Sequence, residues 1–406
     1  MPYFCSMQKN PSVRPEFVAL MASLMSLVAL SIDALLPALP IIGADLGVEN
    51  PASNQLLITM IFLGLGFGQL LFGPLSDSFG RKPMVYFGFS VFIIASIICV
   101  CTKSFEIMIF GRILQGIGLS SPRAIAIAMV RDTYNGDHMA KILSIIVMFF
   151  IMVPVIAPAL GQLLLSLDDW KAIFNANLIA GVLVVFWFWR RQPETLDRTD
   201  RIPITAHLFS DGVKEFIKHR PAVAFTLVSG FITGSFMVYL STSQQIFQDQ
   251  YGLGEMFPYF FASTAIAVGT STYLNSRLVL RYGAFRLAYY ASIAYFLISS
   301  LYVGIFISGI NPSIYVLLGF FLIQFFSVGL LFGNLRALAM EPLGHIAGIG
   351  SALNGFISTV MAVPIANYIG SFVKTSVLPL FIGFSIFGLL SVIVFLYMRK
   401  FKSIRV

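Results

Sequence analysis

Charge is scarce in this chain. Of its 406 residues only 11% are Asp, Glu, Lys or Arg, where soluble domains average roughly 25%. The three cysteines, Cys5, Cys99 and Cys101, are odd in number and make no disulfide framework. Cys99 and Cys101 lie inside an apolar run and read as small packing residues. Four histidines without ligand spacing give no metal site. No Gly-Lys-Ser/Thr phosphate cradle is present, which excludes an ATP-driven pump. No Ser/His/Asp or Cys/His set is apparent, so nothing supports an enzyme or a cofactor. What the chain has instead is apolar surface: 58% hydrophobic residues, forty of them Phe, and a mean hydropathy of +0.87. That composition excludes a cytosolic enzyme, a nucleic-acid-binding protein and a disordered chain. The net charge of +8 fits Lys and Arg gathered in cytoplasmic loops better than a nucleic-acid partner.

A bilayer-spanning helix needs ~20 mostly apolar residues. Twelve such runs lie near 17–37, 55–73, 84–102, 107–129, 142–165, 173–189, 222–242, 258–276, 286–307, 313–335, 346–369 and 376–398. They are too long and continuous for barrel strands, so the expected fold is an all-α membrane protein. The first run exceeds a signal-peptide core and is expected to be retained. With the N-terminus in the cytoplasm, 20 of the 26 Lys and Arg fall on the cytoplasmic side and three on the other. The remaining three, Arg112, Arg123 and Arg336, lie inside spans. This bias predicts both termini inside.

The long connection 190–220 divides the chain into a first half (1–189) and a second half (221–406), with six spans each. Its part from Ile204 to Arg220 reads either as an amphipathic helix on the inner membrane surface or as a solvated linker. The halves echo each other. Phe79-Gly80 matches Tyr282-Gly283 at an offset of 203, and Pro158 matches Pro364 at an offset of 206. Two parallel six-helix halves suit a carrier that rocks about a central site.

Five stretches narrow the reading. Gly73-Pro-Leu-Ser-Asp-Ser-Phe-Gly-Arg-Lys82 joins spans two and three. Asp33-Ala-Leu-Leu-Pro-Ala-Leu-Pro40 ends span one. Gly111-Arg-Ile-Leu-Gln-Gly116 lies in span four and Pro154-Val-Ile-Ala-Pro-Ala-Leu-Gly-Gln162 in span five. Ala339-Met-Glu-Pro-Leu-Gly-His-Ile-Ala-Gly348 follows span ten. The first resembles the signature loop of the major facilitator superfamily. Together they resemble its Bcr/CflA-type multidrug efflux group, most densely in the first half. The resemblance implies a twelve-helix drug:proton antiporter of a bacterial inner membrane, working as a monomer on small molecules and protons.

Asp33 is the one acid clearly inside a span. Burial disfavours a charged carboxylate, which suits a group that loads and releases a proton. It shares a stripe with Ser23, Ser26 and Leu30, a face that would look into a cavity. The other reading is a structural cap at the outer end of span one. Arg112 is expected at similar depth. It is either Asp33's coupling partner, as the resemblance implies, or part of a fixed structural ion pair. Arg123, eleven residues further along, either contacts an anionic substrate group or bonds to carbonyls. Arg336 reads as a snorkelling residue, but it stands where the subgroup usually has a neutral polar side chain.

The resemblance assigns Gly73, Asp77, Gly80 and Arg81 to a conformational latch, with Asp77 pairing to Arg131 near the end of span four. Leu280 replaces Asp77 in the second half, so the latch is expected to be one-sided. Pro154, Pro158 and Gly161 form the antiporter motif, read as a seal against proton leak or as a packing kink. Gln55, Thr59, Phe62, Gly66 and Gln69 form one stripe on span two. With Gln115, Tyr239, Gln244, Gln324 and Asn354 they are the expected polar anchors of an apolar pocket. The reading is export of lipophilic compounds, cationic ones included. A dedicated exporter of one endogenous metabolite, a proton-coupled importer and a non-transporting receptor stay open.

Overall fold

Backbone polar groups cannot be left unpaired in hydrocarbon, so long apolar runs must close their hydrogen bonds within themselves as helices. The computed structural model describes residues 14–134, 136–201 and 206–402, and among these the regular elements are helical. The first half opens with α1 (Pro15–Asp33), which turns into the short α2 (Leu39–Asp45). Then come α3 (Leu56–Phe79), α4 (Arg81–Cys101), α5 (Phe105–Thr133), α6 (Gly136–Leu167) and α7 (Lys171–Arg191). Helix α8 (Ala206–Lys218) precedes the second half. That half holds α9 (Arg220–Gln244), α10 (Phe257–Tyr282), α11 (Ala284–Ile305), α12 (Ile314–Met340), α13 (Ala347–Gly370) and α14 (Leu378–Lys402).

Twelve of these helices match the twelve expected spans. Eleven segments, α1 and α2 counting as one, are long and apolar enough to cross a membrane. The exception is α10, which has the length but is diluted by Ser, Thr, Asn and Arg. Its polar residues meet other helices: buried Thr264 bonds Tyr239 of α9 at 2.7 Å, and buried Ser271 lies against Gly329 of α12. Apolar side chains left outside are spread round the bundle, as with Phe87 and Ile94 of α4, Ile156 of α6, Leu183 and Phe186 of α7, Ile266 of α10, Leu297 of α11 and Ile393 of α14. Such a surface fits hydrocarbon rather than water.

The repeat seen in the sequence recurs in the backbone. Gly80 joins α3 to α4 with φ +104°, and Gly283 joins α10 to α11 with φ +78°. Both conformations favour glycine. Across the halves, α3 packs on α13 and α6 on α10. Of the stretch from Ile204 to Arg220, Ile204 and Thr205 lie outside the described residues. Helix α8 docks on protein: Phe216 is buried with Ala222, Leu343 and Leu353, and Gly212 lies against Ile349. Basic residues collect at the end of the bundle that holds the α3–α4 turn and α8, called here the basic face.

Candidate functional site

From Leu20 to Leu39, every residue of α1 and the turn after it is buried except Ser23, Ser26 and Leu30. These three, a turn apart, form one half-buried stripe along α1, the face expected to look into a cavity. Asp33 ends the stripe at 4% exposure. It makes no hydrogen bond and no ion pair among the described residues, and the turn Leu36–Ala38 that follows it packs on α9 of the second half. It is no cap: the backbone N–H of Ala34 bonds Leu30 O instead.

Arg112 does not pair with Asp33, nor with any other carboxylate among the described residues. Its guanidinium is spent on oxygen acceptors inside the first half. Nε donates to Leu57 O at 2.8 Å, Nη2 to Ser31 O at 3.1 Å and Nη1 to Gln115 Oε1 at 2.8 Å. Gln115 in turn donates to Ser96 Oγ at 2.9 Å. Arg112 thus ties α5 to α3 and to the α1 carbonyl two residues before Asp33, and Gln115 is its orienting partner rather than an open anchor.

Gly161 is where α6 meets this region. A Cβ there would lie 2.0 Å from Ala34 O, so the missing side chain is what lets α6 close on the residue after Asp33. Pro154 and Pro158 lie within the same helix, and Pro158 is buried.

The α3 stripe divides by height. Away from the basic face, Gln55 Nε2 donates to Gln245 Oε1 at 3.1 Å and to Gly370 O at 3.2 Å. Thr59 donates to Asn367 Oδ1 at 2.7 Å. These bonds join the halves at the opposite face. Lower down, Phe62 and Gln69 are half-buried, and Gly66 packs on Thr359. Gln69 Oε1 lies against Gly355 of α13.

Three further expected anchors are enclosed in the second half. Tyr239 bonds Thr264 among Phe247, Phe261, Phe321 and Phe325. Asn354 donates to Thr226 Oγ1 at 2.7 Å. Gln324 is fully buried. Gln244, on the same helix as Tyr239, donates to Asp249 at 3.2 Å. Nearer the basic face, Arg123 of α5 is half-buried with its guanidinium 5.9 Å from the Phe150 ring centre. Helix α12 carries Arg336, which is exposed and donates to Ser351 Oγ at 2.7 Å. It does not simply snorkel.

At the signature loop Arg81 is 3% exposed and holds two carboxylates. Nη1 pairs with Asp77, and Nε with Asp132 Oδ2 at 2.8 Å. Arg131, the expected partner of Asp77, is exposed and makes no such contact; Arg81 is the cation that pairs with Asp77, and Asp132, the residue after Arg131 on α5, supplies the second carboxylate on Arg81. Glu194 completes the loop by accepting the backbone N–H groups of Arg81 and Lys82, each at 3.0 Å, at the start of α4. Gly73 has open space around its Cα, whereas a Cβ on Gly80 would meet Glu194 and Arg201 at 2.8 Å. Sequence reasoning missed Asp132, Glu194, Asn367 and Gln245. Only Asn367 carried a signal, as a lone amide in an apolar run.

The sequence model of the Major Facilitator Superfamily matches residues 21–366. The chain belongs to this superfamily. Among its relatives, the "Multidrug resistance protein MdtL" of Citrobacter koseri is 29% identical over 84% of this chain and 85% of its own length. The "Bicyclomycin resistance protein homolog" of Haemophilus influenzae is 28% identical over 66% of this chain and 67% of its own. These relatives accord with the Bcr/CflA-type resemblance. In fold, the chain matches a D-xylose-proton symporter with a TM-score of 0.71 at 15% identity, over 95% of this chain and 96% of that one. As a member of the Major Facilitator Superfamily the protein is a multi-pass membrane transporter of small molecules, not an enzyme.

Proposed function

We propose that this transporter exports lipophilic drugs or toxic compounds in exchange for protons, by alternating access. The observation that carries this is Asp33, a buried carboxyl in a membrane span, beside the proposed cleft between the halves, with no hydrogen-bond or ion-pair partner among the described residues. A charge without a partner in such a place is costly, so its protonation must follow its access to water. Arg112 cannot neutralise it, because its donors are committed to Leu57, Ser31 and Gln115. Arg112 instead fixes the α1 backbone beside Asp33 and keeps the carboxyl aimed at the cleft.

In the proposed cycle residues 1–189 and 221–406 rock as two units, tethered by 190–220. With the Gln55 and Thr59 bonds made, the cleft takes substrate from the basic face, and substrate entry favours release of the Asp33 proton there. With those bonds broken, the opposite face opens, substrate leaves and a proton is loaded. The basic face is cytoplasmic, both termini lie on that side, and the membrane is a bacterial inner membrane. One chain holds the whole pathway, so the working unit is a monomer. The names of the relatives, drug and multidrug resistance proteins, support the substrate class.

The test uses inside-out vesicles with an acidic interior, read by a pH-sensitive dye. Several unrelated lipophilic drugs should each alkalinise the interior, and Asp33→Asn vesicles should show no response. A response to a single metabolite would replace this reading with a dedicated exporter. Silence across the panel would overturn it.

A further inference from the structure

The second half repeats the signature loop with its central cation missing. Packing sets the register. Gly68 of α3 lies against Ser120 of α5, and Ser271 of α10 against Gly329 of α12, the same close contact with the small and the larger residue exchanged. An offset of 203 therefore carries α3 to α10, as it carries Gly80 to Gly283, and one of 209 carries α5 to α12. By this register Leu280 stands for Asp77, Ala284 for Arg81 and Glu341 for Asp132. The carboxylate at the helix end is kept, and the arginine that it would hold is gone.

The space is open. A cavity of about 580 Å³ lies between the α10–α11 turn, the start of α11 and the end of α12, and its walls include Tyr282, Ala284, Phe285, Arg286, Leu338 and Glu341. At the equivalent place in the first half Arg81 is 3% exposed and held between Asp77 and Asp132. Glu341 and Arg286, by contrast, are both exposed, and neither makes a hydrogen bond or an ion pair among the described residues. Arg286 does not stand in for Arg81. It lies two residues further along α11, about 200° round the helix, and meets the cavity from another side. Two opposite charges thus share one cavity without meeting. A bare cation is drawn to Glu341 and repelled by Arg286, and a bare anion the reverse, whereas a molecule carrying both charges is attracted by both. The volume lies within the range of small-molecule sites. The cavity sits at helix ends on the basic face rather than along the spans, which favours a water-soluble ligand.

We propose that this cavity binds a small zwitterion, with its guanidinium or amine on Glu341 and its carboxylate on the paired N–H groups of Arg286. The ligand supplies the cation that the second half lacks, and ties α11 to α12 as Arg81 ties α4 to α5. Binding there does not depend on the export reading. The purified full chain in phosphatidylcholine nanodiscs is titrated with L-arginine, reading affinity from thermal stabilisation. Agmatine, which lacks the carboxylate, and L-citrulline, which lacks the guanidinium, are the comparisons. L-Arginine should bind roughly tenfold more tightly than either. Glu341→Gln should abolish its preference over L-citrulline, and Arg286→Gln its preference over agmatine. Ala284→Arg, which puts a guanidinium into the cavity from the chain itself, should remove stabilisation by L-arginine. This variant decides the matter even where one of the others melts too low to titrate. A second arm replaces phosphatidylcholine with phosphatidylethanolamine. Stabilisation by that lipid but not by L-arginine would make a lipid headgroup the ligand and overturn the proposal. Equal affinity for the three compounds, no binding of L-arginine, or an Ala284→Arg variant that binds it unchanged would also overturn it.

Discussion

Asp33 and Arg112 divide the work that a buried ion pair would have joined. An arginine satisfied by carbonyls holds backbone in place, and a carboxylate left alone is free to change its charge. The two residues should therefore fail differently. Asp33→Asn removes the titrating group and keeps the shape, so the variant should fold with an unchanged melting temperature and lose drug-driven alkalinisation of acidic vesicles. Undiminished exchange in that variant would remove Asp33 from the coupling role. Arg112→Gln takes donors from three acceptors and should lower thermal stability. The presence of Asp33, Arg112, Arg123 and Arg336 inside spans was legible in the sequence, because charge is so rare there. Their partners were not. Leu57 O and Ser31 O are backbone atoms that no side-chain pattern announces, and Asp33 and Arg112 lie at similar depth without meeting because Arg112 points to other acceptors.

Among the elements, the α3–α4 turn and α6 carry the clearest consequences. Arg81 is held by Asp77 and Asp132 together, so each carboxylate should matter to the latch. In a cysteine-free background, Asp77→Asn and Asp132→Asn should each raise labelling of a reporter cysteine near the basic face and lower it at the opposite face. Arg131→Gln should leave both unchanged; an effect of Arg131→Gln equal to that of Asp132→Asn would restore the partner expected from sequence. Helix α6 tests the packing of the antiporter motif. A side chain at Gly161 must displace the Ala34 carbonyl, so Gly161→Val should destabilise the protein by ~1–3 kcal/mol in thermal unfolding. A variant as stable as the parent would show that α6 can shift freely here. Helix identity, the glycine turns and the proline-bearing helix were readable from apolar run length and punctuation. Helix α10 was read as a span despite its polar residues, and only its packing on α9 and α12 explains why those residues are there.

At the scale of the whole molecule, the bonds from Gln55 and Thr59 hold the halves together away from the basic face. A hydrogen bond contributes only ~1 kcal/mol net, so the seal is weak enough to open in a transport cycle. A Thr59→Cys/Asn367→Cys pair, cross-linked in the same cysteine-free background, should stop exchange, and reductant should restore it. Exchange that survives full cross-linking would mean that this contact never opens.

The sequence alone determined that the chain is a twelve-helix membrane protein in two related halves, which face is basic, and where its rare buried charges and its signature loop lie. It could do so because membrane insertion is a one-dimensional problem, decided by apolar length, helical closure of the backbone and the placement of Lys and Arg. The tertiary structure decided which charges are satisfied and which are left open: Arg112 anchored, Arg81 shared by two carboxylates, Asp33 without a partner among the described residues. Those outcomes depend on the rotation and depth of one helix against another, and contacts set by packing across a hundred residues or more leave no local pattern to read.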